Sequence, residues 1–327
     1  MTITHIESDR DIARAAELAF AAHRALLEMH SFLPSRTLDD YAVRIGWMVR
    51  EGTVFGAFED DGLAAFLGYF KIENFRNAGP GGYSPDWCMG LAEGKEAARF
   101  FRQLMRSLLA DADEAGLGIH AVSVYSSLNK IREEFSLTGY GGIVLDAARP
   151  VEDLAGKLAE YCLAEYRVAE CRAGGTVIRP ATAADASRLA ALDAALASHI
   201  GAAPVLMPDT HGSSADEWRD WLSSDERRAL VAVCDGEIAG FIKAEDPQFD
   251  VSYAVHSPDT FAIDGLYVDP RFRGNGLARQ LLASLTNEAR ARGKSLMSVD
   301  CETMNPEAFR FWTRYFCPVS WSLERRW

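Results

Sequence analysis

The sequence predicts an α/β fold made twice: two tandem domains, each a central mixed β-sheet flanked by helices. Three observations predict it. Strand and helix patterns follow one another as strand, helices, hairpin, strand, helix, strand, helix, strand, which is the signature of an α/β layer arrangement. That order is read twice, with landmarks offset by 172 to 176 residues. Late in the second round, the stretch Phe261–Arg279 joins a strand to a helix through a glycine-bearing turn. At 327 residues, 48% hydrophobic and 25% charged, the chain is long enough for two domains of ordinary size, each with its own core.

The first copy opens on a strand at Ile3–Ile6. Ser8-x-x-Asp11 is a capping box, and the helix after it carries Ile12, Ala15, Leu18, Ala19 and Ala22 on one face. The second copy repeats this at Val177–Ile178 and Thr182-x-x-Asp185, with Leu189, Leu192 and Leu196 on the helix face; Ser8 to Thr182 is a shift of 174. Next comes a hairpin, Val54–Phe58, the turn Asp60-Asp61-Gly62 and Ala65–Lys71. Its counterpart is Val231–Val233, Asp235-Gly236 and Ile238–Lys243, and Gly68 to Gly240 is a shift of 172. The third correspondence pairs Asn129, Phe135 and Tyr140 with Asn305, Phe311 and Phe316, each shifted by 176. Three matches in one order with nearly one offset indicate an internal duplication. Val151–Leu163 reads as a helix and Tyr166–Cys171 as the strand that closes the first copy. The Ala173-Gly174-Gly175 segment sets the boundary, giving domains at 1–172 and 173–327.

In the second copy Leu266-Tyr267-Val268 is a β run that Asp269-Pro270 ends. Arg273-Gly274-Asn275-Gly276-Leu277-Ala278 then turns into a helix with Leu277, Leu281, Leu282, Leu285 and Ala289 on one face and Gly293 as its stop. Glycines let backbone amides face a ligand with no Cβ in the way, and a helix N-terminus favours negative charge. The turn therefore suits phosphate. It is not a nucleotide P-loop, because G-x-x-x-x-G-K-[ST] is absent. A dinucleotide fold is excluded as well, because Arg279 stands at the third glycine position and about fifty residues remain.

Arg273-x-x-Gly276-x-Ala278, directly after Leu266-x-Val268, resembles the acyl-coenzyme A signature of the GNAT N-acetyltransferase superfamily. The resemblance covers about 150 residues of the second domain and reaches the first through the duplication. It implies that the chain is an acyltransferase using acetyl-CoA as co-substrate, with Leu266, Tyr267 and Val268 along the pantetheine arm. Arg273, Gly274, Asn275, Gly276, Leu277 and Ala278 would hold the diphosphate. Asn305 matches the asparagine of the next helix that contacts coenzyme A. Trp312 stands where the family often has the tyrosine that protonates the leaving thiolate; an indole N–H has no accessible acidity, so Trp312 is assigned to orienting the sulfur and Tyr315 to the proton. Asp264, two residues before Leu266, is the candidate base for the attacking amine. At the matching place the first domain has Cys88-Met89-Gly90-Leu91-Ala92-Glu93-Gly94-Lys95-Glu96. The arginine is missing and two carboxylates would repel a diphosphate, so this domain reads as a degenerate copy that buttresses the second or shapes its acceptor cleft. Tandem copies with one intact turn are similar to the arrangement in mycothiol synthase.

A formal charge of −13 argues against a nucleic-acid partner. No apolar run reaches the ~20 residues of a membrane span, and the N-terminus has no secretion pattern, so the expected location is the cytoplasm. The six cysteines lack C-x-x-C spacing and read as reduced core thiols, with no metal site among them. His199 and His211 bracket a loop expected at the acceptor mouth, while Trp218 and Trp221 read as core. The expected acceptor is the primary amine of a small molecule, and the chain is expected to be a monomer or homodimer. Two alternatives stay open: a non-catalytic acyl-CoA-binding or regulatory protein, and a transferase for a thiol-sugar amine.

Overall fold

The computed structural model describes residues 1–60, 62–152, 175–208, 210–247 and 252–327. In chain order its elements begin with β1 (Thr2–His5), α1 (Asp9–Met29), α2 (Leu38–Glu51), β2 (Thr53–Glu59), β3 (Gly62–Ile72), β4 (Gly81–Ser84) and β5 (Met89–Leu91). They continue with α3 (Ala97–Glu114), β6 (Ile119–Tyr125), α4 (Asn129–Leu137), β7 (Gly141–Pro150) and β8 (Val177–Pro180). Then follow α5 (Ala186–Gly201), α6 (Ala215–Leu222), β9 (Arg228–Cys234), β10 (Glu237–Glu245) and β11 (Thr260–Val268). The last elements are α7 (Leu277–Ala291), β12 (Leu296–Glu302), α8 (Pro306–Tyr315) and β13 (Cys317–Arg326). Two compact units emerge: Met1–Asp146 with Ser252–Ala254 and Pro318–Trp327, and Ala147–Val251 with Val255–Cys317.

In the first unit the strands run β1-β2-β3-β4-β6-β13, with β5 also on β3. Among the described pairs only β4 and β6 are parallel. The last strand of the chain thus lies within the sheet of the first unit, next to β6, Ser320 opposite Tyr125 through Arg326 opposite Ile119. Ser8 caps α1 by accepting from the Asp11 amide at 3.1 Å, and α1 buries Ala15, Leu18, Ala19 and Ala22, the face its periodicity predicts. Phe100, Phe101, Leu104 and Leu108 of α3 pack with Val122, Val124 and Phe135 in the core.

The second unit orders its strands β12-β11-β10-β9-β8, with β11 and β12 parallel and the other pairs described antiparallel. The end of β7 is the neighbour of β12, and the Val151 amide donates to Ser295 O at 2.9 Å. Asp235 and Gly236, both at positive φ (50° and 82°), turn β9 into β10. Leu277, Leu281, Leu282, Leu285 and Ala289 are the buried face of α7, as expected. The two units follow a similar order, although the first carries β4 and β5 where the second has β11 alone, and their matched glycines share one cause. A Cβ on Gly68 would lie 3.1 Å from Thr53 O, and one on Gly240 2.6 Å from Tyr267 O, so both mark close strand approach.

The helix expected over Val151–Leu163 lies, beyond residue 152, outside the described residues; so do the strand Tyr166–Cys171 and the boundary between 172 and 173. Of the cysteines read as core thiols, Cys88, Cys234 and Cys301 are buried, but Cys317 is exposed, because it stands at the start of β13. Among the described residues no helix is long and apolar enough to cross a membrane.

Burial holds three groups of the first unit away from their ordinary titration. His23, beside Pro34 O at 3.2 Å, is lowered to about 4 by desolvation. His120, held by Ser84 Oγ and the Tyr140 hydroxyl at 3.0 and 2.7 Å, is lowered to about 3 for the same reason. Asp86 is raised to about 6 by desolvation, although Ser252 Oγ and the Tyr253 amide donate to it at 2.6 and 3.2 Å. Below pH 6.5 the unfolded chain protonates both imidazoles while the folded chain does not, so they lose stability as pH falls toward 4. Asp86 acts the other way: the folded state takes its proton near pH 6 and the unfolded chain only near 3.8, so stability rises as pH falls between them. Between pH 7 and pH 4 the wild type should therefore gain on Asp86→Asn by up to about 3 kcal/mol in unfolding free energy. Urea titrations of both proteins across that range measure it, and a pH-independent difference would place Asp86 at an ordinary carboxylate pKa.

Candidate functional site

The site grows out of one irregular strand. Along β10 and β11, Lys243 pairs with Gly265 and Ala244 with Ile263, which leaves Asp264 as the extra residue of a bulge. The parallel pairing of β11 with β12 runs from Thr260 opposite Leu296 to Ile263 opposite Val299 and ends there. Beyond the bulge β11 keeps only β10. The Asp269 amide donates to Ala239 O at 2.8 Å, so residues 267 and 269 address β10, and by alternation Leu266 and Val268 turn their amides and carbonyls toward the side β12 has left.

Asp269 closes the strand. Arg271 and Arg188 hold its carboxyl well below the usual range, Arg271 first, and the side chain also caps the Arg271 amide at 3.1 Å. Arg273 folds back: Nε donates to Val268 O at 3.0 Å, Nη1 lies 3.3 Å from a Glu307 carboxylate oxygen, and the guanidinium sits 5.4 Å over the Tyr267 ring. Gly274 and Gly276 follow at φ 86° and 73°, a left-handed backbone that glycine takes without strain. Ser8, Thr37, Ser214 and Asn305 cap their helices with side-chain oxygens, but α7 begins at Gly276 with no side-chain cap. α3 and α4 also start without one; at such a start the first-turn amides have no partner within the helix.

The N-terminus of α7 opens on a cleft of about 410 Å³. Val268, Phe272, Arg273, Gly274, Gly276, Leu277 and Ala278 line one wall, and Arg310, Phe311, Arg314 and Tyr315 of α8 another, with Arg279 and Glu307 completing it. Four guanidiniums against one carboxylate make the cleft positive in an acidic protein.

Most of the residues expected to hold the cofactor meet here, and some do not. Tyr267 is outside the cleft lining: its ring packs in the core with Trp218 and Phe241, with the Arg273 guanidinium beside it. Leu266 is half-buried outside the cleft lining, with only its backbone turned to the gap. Asn275 is exposed and donates to Phe272 O at 3.2 Å, so it braces the turn. Asn305 is buried as the cap of α8, its Oδ1 accepting from the Ala308 amide at 3.1 Å. Trp312 is buried between Phe311 and Phe316, at 4.8 and 5.5 Å between ring centroids, while Tyr315 reaches the cleft. Arg279, Arg310 and Arg314 were not singled out from the sequence. The available signal was the repeat of arginine at i and i+4 on α8 beside Phe311 and Tyr315.

Asp264, the bulge residue, is outside the cleft lining. Its carboxylate is half exposed and 2.8 Å from Lys243 Nζ, and the lysine side chain is itself only 15% exposed. The ammonium sits 5.6 and 5.7 Å over the rings of Trp218 and Trp221. Trp218 is the core residue expected, and the pair also cradles a cation. His199 lies in the last turn of α5.

In the corresponding stretch of the first unit, Met89–Leu91 pairs with β3, and Lys95 and Arg99 both reach Glu59, at 2.5 and 2.6 Å. The cations of that stretch are already matched by a carboxylate.

Residues 197–316 match the model of the acetyltransferase (GNAT) family. This stretch of the chain is similar to the GNAT family. Streptothricin acetyltransferase of Streptomyces lavendulae is 26% identical over 121 residues, 36% of this chain and 60% of that protein, so the match spans about three fifths of the relative's length. A GCN5-related N-acetyltransferase from Sphaerobacter thermophilus superposes with a TM-score of 0.56 at 13% identity, over 99% of this chain and 95% of that one. The GCN5-related glucosamine N-acetyltransferase region of a fungal multi-domain GH3 β-N-acetylglucosaminidase gives 0.52 at 13% identity, over 99% of this chain and 38% of that one. At these identities the GNAT structures share the fold: a mixed sheet with flanking helices.

Proposed function

We propose that this protein is an acetyl-CoA-dependent N-acetyltransferase that moves the acetyl group to the primary amine of a small molecule by direct attack. One observation carries the reading: β11 and β12 part beside an uncapped helix N-terminus inside an arginine-lined cleft. The amides of the 273–278 turn would take the diphosphate, and Arg273 would add charge. Leu266 and Val268 would pair with the pantetheine amides as a further strand does, leaving the thioester carbonyl near the bulge.

At the bulge the acceptor meets Asp264. An ammonium has no lone pair, so its proton must leave before its nitrogen attacks. The half-exposed Asp264 carboxylate, 2.8 Å from Lys243 Nζ, would receive it. The C–N bond then forms, the C–S bond breaks, and sulfur departs as a thiolate. Tyr315, in the cleft wall, is the hydroxyl that can protonate it. Free thiols titrate near ~8.5, so departure as the anion also costs little. The similar element order supports reading the first unit as a copy of the second that has lost the cofactor turn.

Mixing the protein with acetyl-CoA and a panel of small amines, and following free-thiol release, tests the activity. Binding of coenzyme A without turnover of any amine would favour a non-catalytic binding protein. For an amine that turns over, Asp264→Asn should lower kcat/KM by about a hundredfold at pH 7, in the range of a lost general base. The gap should close as pH approaches the amine's own pKa, and coenzyme A affinity should stay unchanged. A pH profile that superposes on the wild type removes Asp264 from the chemistry.

A further inference from the structure

The cleft holds more positive charge than its turn requires. The uncapped start of α7 and Arg273 are already enough for a diphosphate, and Arg273 is itself committed to Val268 O and Glu307. Yet α8 adds Arg310 and Arg314 to the same cleft. They stand four residues apart, so one helical face presents both, and both are exposed at the cleft rim. Two guanidiniums one turn apart can grip one phosphate through charge-assisted hydrogen bonds. Beside them lie Phe272 and Phe311, two rings that suit the flat face of a base.

A ligand matching this pattern carries a diphosphate, an aromatic base and one more phosphate set apart from the first two. Coenzyme A has this layout, its third phosphate being on the ribose 3′ oxygen. We propose that Arg310 and Arg314 form a separate anion subsite that reads the 3′-phosphate. The subsite makes the protein selective for full coenzyme A thioesters over donors whose carrier ends at the phosphopantetheine arm or lacks the ribose phosphate. This rests on the acyl-CoA reading of the cleft.

Calorimetric titration with coenzyme A and with dephospho-coenzyme A, on the wild type and on the Arg310→Ala, Arg314→Ala double variant, tests it. The wild type should bind coenzyme A at least about tenfold more tightly, the worth of one charge-assisted contact. The double variant should bind both ligands with the affinity the wild type has for dephospho-coenzyme A. Both positions are exposed, so the fold should survive; Arg310→Gln alone, giving part of the loss, covers a failure of the double variant. Salt should shrink the wild-type preference and leave the variant indifferent. Equal affinity of the wild type for the two ligands would overturn the proposal and leave the acyl-CoA reading standing. So would a variant that weakens both ligands alike, which would put the arginines on the diphosphate. If neither ligand binds the wild type, the acyl-CoA reading itself fails, and this inference with it.

Discussion

Gly276→Asp should raise the dissociation constant of coenzyme A at least about a hundredfold while leaving the protein folded. Gly276 is the left-handed residue before α7, with φ 73°. Aspartate is one of the few L-residues that visit this region, so the strain stays near ~1 kcal/mol. The new Cβ would meet Arg279 Nη2 at 3.0 Å, the mobile end of a long side chain that can shift. The carboxylate would then stand where a phosphate is proposed to lie, at the positive end of the helix, repelling the ligand and competing for the same amides. Gly276→Ala carries the strain without the charge and should lose only a small part of that affinity. Calorimetry on both variants, with melting curves to confirm the fold, makes the comparison. Affinity of the aspartate variant within a few-fold of the wild type would mean that the turn does not hold the diphosphate.

Phe241→Ala should destabilise the second unit by about 3–5 kcal/mol, the range for emptying a fully buried aromatic site. The ring is completely buried, its centroid is 5.4 Å from that of Trp218, and Phe241 pairs in register with Tyr267 on β11. Removing it opens a cavity behind the strand whose backbone faces the cleft. Phe241→Leu keeps most of the volume and should cost less than about 1.5 kcal/mol. Urea unfolding gives both values. Coenzyme A at a hundred times its dissociation constant should return about 2.7 kcal/mol to each variant, because a ligand of the folded state stabilises by mass action. A loss under about 1 kcal/mol for the alanine variant would mean that the site collapses around the missing ring.

How much of this was legible varies residue by residue. The faces of α1 and α7, the Asp235-Gly236 turn and the Gly274-x-Gly276 bend are local properties of a few consecutive residues, and the structure places each as periodicity and glycine spacing indicate. Asn305 and Trp312 were read through a family pattern as cofactor contacts. Whether a side chain on α8 faces the cleft or the sheet depends on how the helix is rotated against its neighbours. That rotation buries Trp312, turns Asn305 into a cap and brings Arg310, Arg314 and Tyr315 to the rim. Cys317 shows the same limit: an apolar context suggested a core thiol, but at the first position of β13 it is exposed, although Val319 and Leu323 on its face are buried.

What the sequence determined by itself is the buried faces of α1 and α7, the strand-to-helix bend with two glycines and an arginine, and an excess of acid over base. These depend on residue type and near-neighbour spacing, which are written along the chain. Only the tertiary structure decided that Asp264 meets Lys243 and two tryptophans, that β11 abandons β12 after Ile263, and that β13 lies within the sheet of the first unit. Each of these joins groups distant in sequence through strand register. A bulge of one residue moves every side chain after it to the other face, and near-neighbour spacing carries no record of which strand lies alongside.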